Sequence, residues 1–219
     1  MARERPHDPR PVQPSAVPPG DRSLSRLAAA ARGCQACDLW RLGTQTVFGV
    51  GRSAAELMLV GEQPGDIEDR EGAPFVGPAG QLLDRALREA EIDRSAVYLT
   101  NVVKHFKWRP SGGGKRRIHD KPNWTEIGAC LPWLAAEVAA ARPTLLVCLG
   151  ATAAQAVIAR NFKVTRDRGV VVDSRLGVPA LATVHPSSIL RSADRTQRHE
   201  GLAGLVRDLK LAAETIARR

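Results

Sequence analysis

The sequence has no long apolar segment. Hydrophobic residues make up 43% of the 219 positions, yet no uninterrupted apolar run approaches the roughly 20 residues that are needed to cross a bilayer. The N-terminal stretch MARERPHDPRPVQPSAVPPGD also lacks the apolar core of a signal peptide. We therefore expect a soluble, cytoplasmic protein without a membrane partner, and we expect it to be a monomer.

Apolar residues are scarce near the N-terminus as well. Six of the first twenty residues are proline, and such a segment cannot bury enough apolar surface to fold. Residues 1–22 are therefore predicted to be a disordered tail. Residues 23–219 contain no internal repeat, and their number suits one compact domain with a sizeable core.

Lysine is rare, with 6 Lys against 26 Arg in a chain of net charge +9. Guanidinium groups can bind phosphate oxygens through two parallel hydrogen bonds, but composition alone fits a polyanionic partner and an ordinary solvated surface equally well. Between residues 104 and 121, however, seven Lys or Arg accompany a single acid, and Phe106 and Trp108 lie among them. Cations suit phosphates and rings suit unstacked bases, so this segment predicts binding of single-stranded nucleic acid.

Apolar strand segments alternate with amphipathic helical segments from residue 56 onwards. Strands are predicted at 56–60, 97–103, 144–149 and 180–184, with an edge strand at 170–173. Helices are predicted at 21–32, capped by Asp21 or Ser23, and at 80–92, 124–142, 151–160 and 198–219, and a long polar loop at 104–123. This alternation predicts an α/β protein, a three-layer α/β/α sandwich with a mostly parallel central sheet.

Glycine and polar residues follow four of the predicted strands. They occupy 61–65, Asn101 with the basic loop after it, 150–152, and 185–188. In open α/β sheets the chemistry gathers at the carboxyl ends of the strands. We therefore expect the functional site among these four segments, three of which carry side chains able to do chemistry.

Cysteine is present at only four positions. Cys34 and Cys37 form a C-x2-C pair, whereas seventeen residues separate Cys130 from Cys148, so the second close pair of a zinc ribbon is missing. Without a secretion signal a close pair favours a metal site over a disulfide. Cys130 and Cys148 also fit buried small residues on a helix and a strand. Spacing leaves zinc, an iron–sulfur cluster and this packing role open.

Residues 61–80, GEQPGDIEDREGAPFVGPAG, resemble the first motif of the uracil-DNA glycosylase superfamily, above all its iron–sulfur branch, family 4. Further motifs follow in the same order: the close cysteine pair before it, YLTNVVK at 98–104, the distant cysteines, and VHPSSILR at 184–191. The resemblance runs from about Cys34 to the C-terminus. It implies a uracil-DNA glycosylase-like fold, uracil-containing DNA as partner and free uracil as product. It also implies a [4Fe-4S] cluster on Cys34, Cys37, Cys130 and Cys148.

Two features depart from family 4. Gln63 stands where those enzymes usually have alanine, and the loop carries an inserted KRRIH at 115–119. Both resemble the UdgX group, whose members become covalently joined to uracil-containing DNA. By this resemblance His119 is the nucleophile that attacks C1′ of deoxyribose, and the glycines at 112–114 give its loop reach. We expect five residues to bind phosphate: Lys115, Arg116, Arg117, Lys121 and Arg191.

The matched motifs also imply roles in binding the base. The amide of Asn101 can both donate and accept, so it reads the edge of uracil, and the Phe75 ring stacks on the extruded base. His185 donates a hydrogen bond to uracil O2, and Gly65 permits close approach. Each has a structural alternative: a cap at a strand end, a loop anchor, a histidine in a turn, or a tight turn.

The predicted catalytic group also includes Glu62, Gln63 and Asp66. Cleavage of the N-glycosidic bond leaves positive character on the sugar, which a carboxylate can stabilise, or a carboxylate can accept a proton. Glu62 is the first choice, because most of the acidic run at 66–71 reads as solvated loop. Two other functions stay open, namely a glycosylase that turns over with water as nucleophile and a non-catalytic iron–sulfur protein that binds single strands.

Overall fold

The computed structural model describes residues 23–113 and 116–218. The predicted tail at 1–22, including Asp21, lies outside the described residues, as do Gly114 and Lys115 of the basic segment. Within the described part, no helix is long and apolar enough to cross a membrane.

The described residues form eight α-helices and seven strands. The strands are β1 (Leu57–Gly61), β2 (Val97–Asn101), β3 (Trp108–Pro110), β4 (Arg117–His119), β5 (Leu145–Leu149), β6 (Val171–Val172) and β7 (Ala180–Thr183). The helices are α1 (Leu24–Ala31), α2 (Asp66–Glu71), α3 (Pro78–Glu89), α4 (Trp124–Ala141), α5 (Ala151–Val157), α6 (Val164–Asp167), α7 (Pro186–Arg191) and α8 (Arg195–Ala217). Ser23 caps α1 by accepting a hydrogen bond from the Arg26 amide, as the sequence predicts.

The central sheet has the strand order β2-β1-β5-β7-β6. Its first four strands run parallel, and the short edge strand β6 pairs antiparallel with β7. β1, β2, β5 and β7 are buried along their whole length, as expected when helices cover both faces of a sheet. Their carboxyl ends therefore meet at one edge.

Two apolar cores lie on opposite faces of the sheet because side chains alternate along each strand. Met58 and Val60 pack in the core that includes residues of α4 and α5. Leu57 and Leu59 pack in the core that includes residues of α3 and α8. The predicted three-layer α/β/α architecture with a mostly parallel sheet is confirmed.

The prediction of a long polar loop at 104–123 is wrong in part, because this segment contains an antiparallel hairpin. β3 pairs with β4 in the register Trp108 to His119, Arg109 to Ile118 and Pro110 to Arg117. His119 therefore lies on a paired strand, whereas residues 112–113 lie at the turn. We refer to residues 108–119 as the hairpin.

The acidic run at 66–71 also differs from the prediction of a mostly solvated loop. Residues 66–71 form α2, in which Glu68 and Asp69 are buried. Sequence periodicity missed this helix because its buried face carries carboxylates instead of apolar side chains. Glu68 accepts hydrogen bonds from the nearby Gly65 and Gly77 amides, and Asp69 is bound by an amide and an arginine from distant segments.

Candidate active site

A cavity of about 880 Å³ opens at the carboxyl edge of the sheet. It draws residues from the ends of β1, β2, β5 and β7 and from the hairpin, so the predicted strand-end segments do meet. The predicted site residues that line it are Glu62, Gln63, Gly65, Phe75, Asn101, His119, Lys121, His185 and Arg191.

Asn101 and Phe75 meet above Gly61, which is the last residue of β1. A Cβ atom on Gly61 would lie 2.3 Å from Asn101 Oδ1 and 2.7 Å from Phe75 Cζ, so only glycine leaves room for both. Asn101 is 3% exposed, and its amide makes no hydrogen bond to the part of the chain that the structure describes. An amide at the cavity without a protein partner is free to bind a ligand. Asn101 therefore has the burial and the free hydrogen-bonding groups of a ligand-reading residue.

Phe75 occupies a strained backbone conformation beside this amide. Its φ angle is 57°, a left-handed value that a non-glycine residue adopts only when the surroundings impose it. Gly80 allows the turn, because a Cβ atom there would lie 1.8 Å from the Phe75 carbonyl oxygen. The Phe75 ring is stacked on the His185 ring, with 6.3 Å between centroids and 30° between planes. Two flat rings thus form one wall of the cavity.

His185 has its tautomer set by the turn that begins α7. Its Nδ1 accepts a hydrogen bond from the Ser187 amide at 3.1 Å, so in the neutral ring the hydrogen must be on Nε2. Burial, the main cause, lowers the pKa of His185 to about 4. The ring is therefore neutral at pH 7 with Nε2–H as its remaining donor. Gly150 lets the ring approach α5, since its φ is 89° and a Cβ there would lie 2.9 Å from His185 Cβ.

Glu62 lies between the hairpin and α5. One carboxylate oxygen is 3.3 Å from His119 Nε2, and the other accepts a hydrogen bond from the Thr152 hydroxyl. Burial alone would raise the pKa of Glu62, but the hydrogen bonds from His119 and Thr152 outweigh it, and the pKa is lowered. Sequence reasoning assigned Thr152 no role. Its position directly after β5 was the available signal.

Gln63 turns toward the base of the hairpin and uses its whole amide there. Its Nε2 donates to the Asp120 and Lys107 carbonyls at 2.9 and 3.2 Å, and its Oε1 accepts from the Lys107 amide at 3.1 Å. These hydrogen bonds join the two chain segments that enter and leave the hairpin. Gln63 was predicted to be catalytic, whereas these contacts fit a residue that positions the hairpin.

Arg117 and Asp66 bind each other instead of facing the cavity. The Arg117 guanidinium pairs with Asp66 and with the buried Asp69, and it lies over the Phe106 and Trp108 rings at 5.3 and 5.7 Å. Asp66 also pairs with an arginine of its own helix and is not among the described residues that line the cavity. Phosphate binding for Arg117 and catalysis for Asp66 stay predictions, whereas the observed contacts form an ion pair that holds β4 against α2.

The other predicted phosphate ligands occupy different places. Lys121 and Arg191 line the cavity, and Arg191 also donates to the Ser187 hydroxyl at 3.1 Å. Arg116 is exposed beside the hairpin turn. Lys115 lies outside the described residues.

The four cysteines lie on the α4 side of the sheet. Interaction between the Cys37 and Cys130 thiols lowers the pKa of Cys37 and, together with burial, raises the pKa of Cys130. Cys37, Cys130 and Cys148 belong to or pack against the same core, and the Trp133 indole donates to Cys34 Sγ at 3.2 Å. Among residues 23–113 and 116–218, no three His, Cys, Asp or Glu side chains are close enough to hold one metal ion. Four cysteine sulfurs on one side of the sheet, one of them with an indole N–H donor, nevertheless fit the ligand chemistry of an iron–sulfur cluster.

Comparison with known proteins agrees with this geometry. Residues 48–210 match the family model described as the uracil DNA glycosylase superfamily. The chain is 37% identical to the type-4 uracil-DNA glycosylase of Thermotoga maritima over 166 residues, which cover 75% of this chain and 82% of the relative. It is 35% identical to the type-4 uracil-DNA glycosylase of Archaeoglobus fulgidus over 185 residues, which cover 81% of this chain and 88% of the relative.

Proposed function

This chain belongs to the uracil DNA glycosylase superfamily, and we propose that it excises uracil from DNA and is then joined to the deoxyribose C1′ through His119. The observation that carries the proposal is the position of His119, whose Nε2 lies 3.3 Å from Glu62 Oε1 in a cavity that Asn101, Phe75 and His185 also line. A nucleophile, a carboxylate and a base-reading amide thus face one space.

The cavity chemistry suits an extruded uracil. Phe75 provides a flat face for the ring, and the Asn101 amide can accept from uracil N3–H while donating to O4. Cytosine reverses both of these groups, so it would need the opposite amide orientation. His185 Nε2–H is placed to donate to O2, where negative charge develops as the base leaves.

The covalent step balances as a substitution at C1′. The C1′–N1 bond breaks, and its electron pair leaves with uracil as an anion that the Asn101 and His185 donors stabilise. The lone pair of the unprotonated His119 nitrogen forms the new N–C1′ bond. The imidazolium then loses its remaining N–H proton, for which Glu62 is the nearest base, and solvent returns a proton to uracil. The product has no good leaving group, so the protein stays attached.

We propose that the substrate is single-stranded. Lys121 and Arg191 at the cavity and Arg116 beside the hairpin turn supply cations for the phosphates, and affinity that depends on them falls as salt rises. A single strand also presents uracil without the cost of unpairing.

We propose that Cys34, Cys37, Cys130 and Cys148 hold a [4Fe-4S] cluster. When bound, it ties the N-terminal segment to α4 and β5. The residues of the cavity carry out base recognition and bond cleavage without it.

A second candidate is a glycosylase that releases its product and turns over. The His119 side chain is 50% exposed, so water reaches the same face of the cavity, and the relatives are named as type-4 uracil-DNA glycosylases. In this case water replaces His119 as nucleophile.

One reaction distinguishes the candidates. The protein is mixed with a uracil-containing single strand, denatured in detergent and run on a gel, while released uracil is measured in the same sample. Free uracil together with a shifted band that disappears in His119→Ser supports the covalent mechanism. Free uracil without a shifted band supports turnover with water. If neither free uracil nor a shifted band appears, both candidate functions are contradicted. A band that persists in His119→Ser shows that another residue is the nucleophile.

A further inference from the structure

Trp124 and Arg160 form a stacked pair of side chains that is not part of the cavity lining. The Arg160 guanidinium carbon is 3.4 Å from the centroid of the Trp124 indole. Trp124 is 36% exposed, and Arg160 is exposed as well. A guanidinium on an indole makes a flat, positively charged surface, the kind on which unpaired bases stack.

Each member of this pair is close in sequence to a residue that lines the cavity. Trp124 begins α4 three residues after Lys121, and Arg160 precedes Val164 by four residues, while Lys121 and Val164 both line the cavity. Four extended residues span at most about 14 Å. A single strand of DNA covers this distance in a few nucleotides. The pair is therefore within reach of the nucleotides that flank a uracil held in the cavity.

We propose that the Trp124–Arg160 pair binds a base of the single strand that flanks the uracil. The base stacks on the pair, and Arg160, with the exposed Lys121 and Lys163 nearby in the chain, neutralises the adjoining phosphates. The inference rests on the proposed function for the identity of the substrate. In a duplex the flanking base is already paired and stacked, so this contact favours a single strand.

The chain offers a matched control in Trp40. It too is 36% exposed and has an arginine over its ring, with Arg41 at 5.0 Å from the centroid. It belongs to the turn Asp38–Arg41, and none of the residues 38–42 is among the described residues that line the cavity. Trp40→Ala therefore removes a similar ring from a place where no flanking base is expected.

The test is a cycle of protein and DNA changes measured by fluorescence anisotropy. Wild-type protein, Trp124→Ala, Trp124→Phe, Arg160→Ala and Trp40→Ala are titrated with strands that contain a non-cleavable uracil nucleotide. The flanking nucleotides are natural, all abasic, or abasic at one position at a time. Loss of a stacked base costs about 1–3 kcal/mol, which corresponds to roughly 5- to 150-fold in Kd.

We expect abasic flanks to weaken binding of wild-type protein and Trp40→Ala by that factor. Trp124→Ala should bind natural flanks equally weakly and should lose the difference between natural and abasic flanks, whereas Trp124→Phe keeps part of it. Arg160→Ala should lower the salt dependence. The single abasic positions then locate the contact relative to uracil.

An undiminished penalty for abasic flanks in both Trp124→Ala and Arg160→Ala overturns the inference. So does a loss in Trp124→Ala that is the same for natural flanks, abasic flanks and duplex, because the contact would then be with the backbone. Strands with thymine in place of uracil test the proposed function separately. Equal affinity for thymine and uracil contradicts uracil recognition, while the comparison of natural and abasic flanks still decides the role of Trp124.

Discussion

At the scale of single residues, Glu62 shows how one carboxylate is held by two elements. Thr152 on α5 donates to one oxygen, and His119 on the hairpin contacts the other. The His185 ring also faces Glu62, and its own surroundings contain Arg191. Thr152 is 3% exposed, so water does not readily replace its hydroxyl.

We predict that Thr152→Val shifts the pH dependence of uracil release. The pKa of Glu62 is lowered, so the carboxylate stays ionised until the pH falls through that pKa. Loss of the Thr152 hydrogen bond raises the pKa, and protonation then begins at a higher pH. The rate in the acid range should fall about tenfold, because a hydrogen bond to a charged group contributes about 1.5–3 kcal/mol. Single-turnover release of uracil across the pH range measures this shift.

Thr152→Ser is the matched control for that prediction, since it keeps the hydroxyl and should keep the wild-type profile. An acid limb at the same pH in wild-type protein and Thr152→Val would contradict the prediction. It would show that Glu62 does not depend on the hydroxyl.

Sequence patterns predicted much of the candidate site at this scale, but not the partners of each residue. Asn101, Phe75, His119 and His185 were identified from motifs, and the structure places all four around one cavity. Thr152 and the pairing of Asp66 with Arg117 were missed. Arg117 comes 51 residues after Asp66 in the chain, and no local pattern reports such a contact.

At the scale of elements, the hairpin depends on anchors from other parts of the chain. Gln63 binds the segments at its base, and Arg117 pairs with the carboxylates of α2. Two three-residue strands would not be stable alone. This is also why the sequence predicted a loop, because the strands are too short and too polar for a period-two pattern.

We predict that Gln63→Ala separates cross-linking from uracil release. Without the amide the base of the hairpin is less constrained, so His119 meets C1′ less often, whereas Asn101, Phe75 and His185 keep their places. The yield of the covalent band should fall about tenfold, as expected when a reacting group is misplaced, while release of uracil persists. Both quantities are measured in one reaction by gel and by uracil assay.

Gln81→Ala, a change on the exposed face of α3, is the control and should alter neither quantity. If Gln63→Ala reduced release and cross-linking in parallel, Gln63 would act in bond cleavage itself. The role of Gln63 would then not be to position the hairpin.

At the scale of the whole molecule, the sheet was predictable from sequence because its parallel strands are continuous apolar runs. β2, β5 and β7 fall within the predicted segments, and β1 ends one residue beyond its predicted segment, since burial on both faces demands such runs. The N-terminal segment is different. Its attachment to the sheet involves α1 against α4 and the contact of Cys34 with Trp133, which no periodicity reveals.

We predict that Cys37→Ser removes iron and loosens this attachment. Purified wild-type protein should contain iron and show broad visible absorption, and the variant should lose both. Its Tm should fall by at least about 5 °C, because a structural metal stabilises only the folded state and about 1 kcal/mol shifts Tm by roughly 2–4 °C at this size. Metal analysis and thermal unfolding check this.

Limited proteolysis gives the matching structural readout, with new cleavage expected between residues 23 and 48. Colourless wild-type protein that contains zinc would rule out the cluster. Unchanged Tm and cleavage in an iron-free variant would show that the N-terminal segment is held without it.

Gly112 and Gly113 lie at the hairpin turn and are exposed. A Cβ atom added to either glycine would meet no atom of the non-adjacent described residues within 4 Å, so a fluorophore attached there would not disturb their packing. Under the proposed chemistry each protein molecule is consumed at one uracil. A dye at this turn would therefore convert the protein into a counter of genomic uracil, one permanent signal for each lesion.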